Sequence, residues 1–176
     1  MLPELSTWPR FNDDSTKNGV EGRFHTQDGK RYIYLEPTNC KGDWKRNFGG
    51  WLIPVIRYDG IYHRYWYNNA MFVMGVLFKL QIAEPVTEVH AFGYSKGGGE
   101  CSILKRRNAC TTLIGINAPC GFIGIADGLN IGSKNELVKR LGFWRKRRSY
   151  PAVSRWFWKN HALNTSQVSD IIQGVY

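Results

Sequence analysis

Val86-Thr-Glu-Val-His-Ala-Phe92 runs directly into Gly93-Tyr94-Ser95-Lys96-Gly97-Gly98-Gly99-Glu100, and these fifteen residues decide how the chain is read. Val86–Phe92 has the length and the β-prone, apolar character of a buried strand, and Glu100–Asn108 reads as a short helix. A Gly-x-Ser-x-Gly pattern between a strand and a helix describes a tight turn. Such a turn forces its central residue into strained backbone angles and lifts the serine side chain above the sheet. Glycines are required at 93 and 97 because a Cβ there would strike the neighbouring strand or helix. The amide of Lys96, at the helix N-terminus, would then face negative charge developing next to Ser95. A bland reading competes, in which a glycine-rich loop carries a serine that merely caps the helix. A Walker-type phosphate loop would need Gly-Lys-Ser/Thr at its end, which is absent.

A serine nucleophile needs a base, and in this architecture the base follows it in the chain. Only His161 lies beyond Ser95; His25, His63 and His90 precede it, and His90 falls inside the strand as a core residue. Asp127 is the only aspartate between Ser95 and His161. It is the available residue to orient the imidazole, against the alternative of a turn aspartate before Gly128.

Outward from the elbow, the chain reads as alternating strands and helices. Gly22–Gln27 and Lys30–Leu35 flank Asp28-Gly29, which predicts a tight hairpin. Thr38–Gly50 is turn-rich, and Trp51–Ile56 reads as a short apolar strand. Trp66, Ala70, Val73, Leu77 and Leu80 recur at helical steps and predict an amphipathic helix with one buried stripe. After the elbow, Thr111–Ile116 is another apolar strand. A loop then leads to a helix around Ser133–Leu141, with Ser133 as cap and Glu136 closing a capping box. Ser166 would cap a last helix bearing Val168, Ile171 and Ile172. This order predicts an α/β sandwich with a mainly parallel central sheet, in one domain over 1–176 with a polar arm over 1–20.

The composition agrees with a packed domain. Of 176 residues, 43% are hydrophobic, too many for a disordered basic tail. The 24 Lys and Arg against 14 Asp and Glu leave a net charge of +10, which favours anionic partners. Cys40, Cys101, Cys110 and Cys120 show no zinc-ligand spacing, so no metal is expected; four buried or bystander thiols in a reducing compartment are the expectation, with two disulfides as the alternative. The N-terminus lacks the pattern of a signal peptide, and the longest apolar run, Ala70–Leu80, falls short of the ~20 residues of a membrane span. A soluble, cytoplasmic protein, peripheral at membranes if it meets them, is the expectation.

From about Gly22 to His161 the sequence resembles the class 3, fungal-type lipases of the α/β-hydrolase superfamily. That family has an Arg-Gly-Thr/Ser-like turn followed by Asp-Trp-x-x-Asn; here Tyr34-Leu-Glu-Pro-Thr38 precedes Asp43-Trp44-Lys45-Arg46-Asn47. Its Val-His-x-Gly-Phe segment corresponds to Ile61-Tyr62-His63-Arg64-Tyr65, its Gly-His-Ser-x-Gly-Gly to Gly93–Gly98, and its Ser-Pro turn to Ile116-Asn117-Ala118-Pro119. The resemblance implies an α/β-hydrolase-like three-layer sandwich. It makes Thr38 the second oxyanion-hole residue beside Lys96, with Asp43, Trp44 and Asn47 bracing that loop. Pro37, Tyr94 and Tyr65 depart from the pattern, standing where the family has glycine, histidine and glycine. The family's acid follows the next strand in an Asp-x-Val-like segment. The stretch aligned with it, Ser149–Arg155, has Pro151 at that point, leaving Asp127 as substitute.

Nine of the 24 basic residues fall within Lys134–Lys159, among them Arg145, Lys146, Arg147 and Arg148, interleaved with Phe143, Trp144, Trp156, Phe157 and Trp158. Bases with interleaved aromatics suit anionic lipid headgroups or single-stranded nucleic acid. A solvated face over core aromatics is the competing reading. Next to a lipase-like site, an anionic surface fits better than nucleic acid. The sequence thus points to a cofactor-free serine esterase or lipase acting on ester or lipid substrates. The alternative is a catalytically lapsed protein of the same fold that binds nucleic acid, membrane or a protein partner through the basic stretch.

Overall fold

The computed structural model describes residues 1–12, 19–38, 41–133, 142–150 and 161–175, except for the side chains of 41–44. In chain order the elements are β1 (Arg10–Asn12), β2 (Glu21–Gln27), β3 (Lys30–Leu35), α1 (Lys41–Gly49), β4 (Val55–Arg57), β5 (Gly60–Tyr62), α2 (Arg64–Ala83), β6 (Glu88–Tyr94), α3 (Lys96–Arg106), β7 (Thr112–Ile116), β8 (Ile125–Ser133), β9 (Phe143–Tyr150) and α4 (Thr165–Gln173). A 3-10 turn at Leu5–Thr7 precedes them.

Seven strands make one sheet in the order β1-β2-β3-β6-β7-β8-β9. β1, β2 and β3 pair antiparallel, and from β3 outward every neighbouring pair is parallel. The β2–β3 hairpin turns at Asp28 and Gly29, both at positive φ (52° and 70°), the geometry that an Asp-Gly pair accepts most readily. The strands bury both faces through their two-residue period. Ile33, Leu35, Ala91 and Leu113 join Trp66, Ala70, Val73 and Leu77 of α2 and Ile103 and Leu104 of α3 in one core. Tyr32, Tyr34, Phe92, Tyr94, Ile114 and Ile116 face the other way, onto Val168 and Ile172 of α4 and Leu2, Leu5 and Trp8.

Several elements differ from the sequence expectation. The chain's first residues are not a solvated arm, since Leu2, Leu5 and Trp8 are buried and the Leu5 N–H donates to Ser169 Oγ on α4. The turn-rich stretch 38–50 contains helix α1. Of Trp51–Ile56 only Val55 and Ile56 enter a strand, in a separate hairpin with β5, because Pro54 has no N–H for a ladder. The loop expected before residue 133 is strand β8, and Ser133 ends that strand instead of capping a helix. The rest of the helix expected over 134–141 lies outside the described residues. β9 is a further strand, hidden in the sequence by its run of bases. α4 is capped by Asn164, which closes a capping box with Gln167, and not by Ser166. Cys101, Cys110 and Cys120 are buried free thiols; Cys40 lies outside the described residues. No described helix is long and apolar enough to cross a membrane.

Candidate active site

β6 ends at Tyr94 and α3 begins at Lys96, so a single residue makes the turn between them. That residue is Ser95, at φ 51° and ψ −119°, a conformation that costs on the order of 1–3 kcal/mol and needs its surroundings to hold it. Its N–H donates to Ile116 O at the end of β7 (2.9 Å), and its carbonyl accepts from Gly98 N (3.0 Å). The glycines make the turn passable. A Cβ on Gly93 would lie 2.3 Å from the carbonyl oxygen of Gly97, and one on Gly97 would lie 2.2 Å from that of Leu35. The helix therefore starts tight against the end of β3, with the first peptide of α3 beside the Ser95 side chain.

His161 Nε2 lies 2.9 Å from Ser95 Oγ, within direct proton-transfer reach. The backbone that carries the imidazole is held by neighbours at the same sheet edge. The Tyr94 hydroxyl donates to His161 O and accepts from Leu163 N (2.8 Å). Asn117 Nδ2 contacts the same His161 carbonyl at 3.5 Å and Tyr150 Oη at 3.3 Å. Asn117 also accepts from Ser133 N through its Oδ1 (3.3 Å), so it ties the ends of β7 and β8 to the loop that carries His161.

On the other side of the elbow, Thr38 follows two residues after Glu36, whose carbonyl lies near Gly97. Asn47 Nδ2 donates to Thr38 Oγ1 at 2.7 Å, so the threonine hydroxyl keeps its own proton for another acceptor. Asn47 is in turn fixed on both sides. Its Oδ1 accepts from Trp66 Nε1 (2.8 Å), and its carbonyl faces His63 Nε2 at 3.0 Å. His63 Nδ1 accepts from Trp66 N and so caps α2. Its ring stacks on Trp66 with centroids 3.9 Å apart. With Nδ1 an acceptor, Nε2 must be the donor to Asn47 O. Burial pushes the His63 pKa down to about 4, which keeps that neutral tautomer. Gly50 and Gly99 admit this cluster, since Cβ atoms there would lie 2.1 Å from the His63 ring and 2.7 Å from the Trp66 ring. Asp43 and Trp44 side chains lie outside the described set.

Asp127 is not brought to His161. It sits at the start of β8, six residues before Ser133 and so roughly 20 Å along the strand from the edge where the elbow opens. Its side chain is 58% exposed and pairs with Arg145 Nε at 3.2 Å. Asp127 is therefore a surface ion-pair residue, and its sequence assignment as orienting acid is corrected. Arg145, Lys146, Arg147 and Arg148 lie exposed along β9, the outer strand of the sheet. Arg147 is partly engaged through Gly142 O (2.7 Å). The Pro151 segment and Arg155–Lys159 lie outside the described residues. Sequence reasoning missed Tyr94 and Asn117 as supports of the His161 backbone and Trp66 as a support of Asn47. Trp66 was legible only as a core position, since its indole N–H partner is 19 residues away.

A hydroxyl on a strained turn, an imidazole nitrogen 2.9 Å away and a helix N-terminus beside them form a set that can deprotonate the hydroxyl and receive an oxyanion. Neither protein-family models nor curated protein sequences match this chain. Solved structures do. Lip2 lipase from Yarrowia lipolytica aligns with a TM-score of 0.56 at 15% identity over 81% of this chain and 64% of its own. Lipase II from Rhizopus niveus aligns with 0.55 at 12%, over 75% and 58%. A fungal lipase–inhibitor complex aligns with 0.54 at 13%, over 69% and 56%. The chain thus spans less than two thirds of the length of each. Its fold is like that of these fungal lipases, an α/β-hydrolase-like sandwich around a mainly parallel sheet.

Proposed function

We propose that this chain is a serine hydrolase of the lipase or esterase type that cleaves carboxylic esters through an acyl-enzyme. Ser95 attacks the ester carbonyl while His161 takes its proton. The amide of Lys96 and the Thr38 side chain receive the oxyanion. His161 returns the proton to the leaving alcohol, and water then releases the acyl group with no cofactor. The observation that carries the reading is the 2.9 Å approach of His161 Nε2 to Ser95 Oγ at the elbow.

Glu136, which lies outside the described residues, takes the acid's role in this proposal. In the lipase pattern the acid follows the strand after the Ser-Pro-like turn. That turn here is Asn117-Ala118-Pro119, and the strand after it is β8, which ends at Ser133. The next carboxylate in the chain is Glu136, and Glu136-Leu137-Val138 repeats the acid-x-Val spacing. With β8 taken as the strand that precedes the acid, Glu136 rather than the stretch Ser149–Arg155 stands where the pattern has it. The exposed bases of β9 would meet an anionic surface from outside the sheet, a role separate from the chemistry.

Hydrolysis of p-nitrophenyl esters of short and medium acyl chains tests the reading. Wild type should turn over, and Ser95→Ala and His161→Ala should each lose on the order of 10³-fold or more in kcat with the fold intact. Turnover that survives Ser95→Ala would place the activity elsewhere.

A further inference from the structure

We propose that Tyr94 is a positioning residue for the base, its hydroxyl clasping the backbone that carries His161 to the strand that carries Ser95. The inference rests on the serine-hydrolase reading of Ser95 and His161. Tyr94 ends β6, is 5% exposed and precedes the nucleophile directly. Its phenol has one proton to donate and lone pairs to accept. The proton goes to His161 O, and the oxygen accepts from Leu163 N at 2.8 Å. One hydroxyl thus fixes both ends of the three-residue stretch 161–163. The next residue, Asn164, caps α4. The ring also lies 5.7 Å from the imidazole, tilted by 41°, and walls one side of it.

The consequence is geometric. Nucleophile and base come from parts of the chain 66 residues apart, yet their 2.9 Å contact is referenced to two adjacent residues, the last of β6 and the turn residue that follows it. The Asn117 contact to His161 O, at 3.5 Å, is longer and supports the same carbonyl from β7. Releasing the clasp removes two hydrogen bonds that tie the stretch carrying the imidazole to the end of β6. A displacement of about 1 Å between reacting groups is enough to cost about a hundredfold in rate. Leu163 and His161 are only partly buried, so water can replace the lost partners and the fold can survive.

Tyr94→Phe keeps the ring and removes only the clasp. Wild type and variant are compared in kcat and KM for p-nitrophenyl butyrate, in the rate of fluorophosphonate labelling of Ser95, and in thermal unfolding. The expected result is a roughly ten- to hundredfold fall in kcat and in labelling rate, with KM within about twofold and a cooperative unfolding transition retained. If Tyr94→Phe does not fold, Leu163→Pro removes one of the clasp's two bonds, the one from Leu163 N. It should lower kcat in the same direction by a smaller factor, with KM within about twofold; a folded Leu163→Pro with unchanged kcat counts against the clasp. A folded variant with kcat within twofold of wild type, or a loss confined to KM, overturns the positioning role and leaves the hydrolase reading standing. Absence of labelling in wild type overturns the hydrolase reading, and the positioning role with it.

Discussion

Ser95 keeps its positive φ because everything around it is already committed. Its N–H is taken by Ile116 O, and the residues two before and two after it have no side chain to be pushed aside. The identity of the site residues was legible unevenly, and the reason is distance in the chain. Ser95, Lys96, Gly93 and Gly97 announce themselves within five residues. His161 stands out only because it is the last histidine. Tyr94 and Asn117 carry no local mark, because their partners lie on a loop 67 and 44 residues away. Asp127 misleads because the chain order that nominates it contains no information about which end of β8 it occupies. Glu136 and Asp127 now make opposite predictions. Glu136→Gln should lower kcat on the order of 10³- to 10⁴-fold, through loss of tautomer control and of imidazolium stabilisation. Asp127→Asn should leave kcat within about twofold, since it removes only an exposed ion pair. Steady-state ester hydrolysis of the two variants decides between them.

Among the elements, the β6–α3 junction is first of all a packing constraint. Two glycines compare the two reasons a chain needs that residue. Gly29 sits at φ +70° in the β2–β3 turn, and a Cβ there would meet no atom within 4 Å, so Gly29→Ala should cost only the left-handed conformation, about 1–2 kcal/mol. Gly97 sits in ordinary helix, where a Cβ would lie 2.2 Å from Leu35 O and 2.8 Å from Glu36 O. Gly97→Ala must push α3 off the end of β3, and its loss in urea-unfolding free energy should exceed that of Gly29→Ala by about 2 kcal/mol or more. Elements with clean periodicity, such as α2 and the β2–β3 hairpin, were legible for this reason of simple burial. β8 and β9 were not. β8 contains Asp127-Gly128 and a register irregularity between Ala126 and Leu129, which break the alternation. β9 is an outer strand that buries only Trp144 in the core while residues 145–149 are all exposed, so its sequence shows no apolar alternation.

Across the whole molecule, the sheet joins two cores. One is sealed by α2 and α3, and the other by α4 with the N-terminal Leu2, Leu5 and Trp8. The site lies along the edge where both cores end. Its support is therefore tied to global stability, and that stability carries a pH signature. His63, buried behind Thr38 and Asn47, has its pKa lowered to about 4 by desolvation, and burial lowers His90 as well. The unfolded chain binds these protons near pH 6.5 while the native state does not. Stability should therefore be full above about pH 6.5 and decline as pH falls towards 4. The His63 contribution is on the order of 3 kcal/mol over that window. Urea unfolding at pH 7 and pH 4.5 should show the loss, and His63→Gln should flatten it.

The proposed hydrolase stands or falls with Ser95 as a nucleophile activated by His161. Incubation of the folded protein with a fluorophosphonate, followed by peptide mass spectrometry, reads it most directly. A phosphonyl adduct is expected on the peptide containing Ser95, absent from Ser95→Ala and formed at least a hundredfold more slowly in His161→Ala. No adduct on a folded wild-type chain, or an adduct on a different residue, would contradict it.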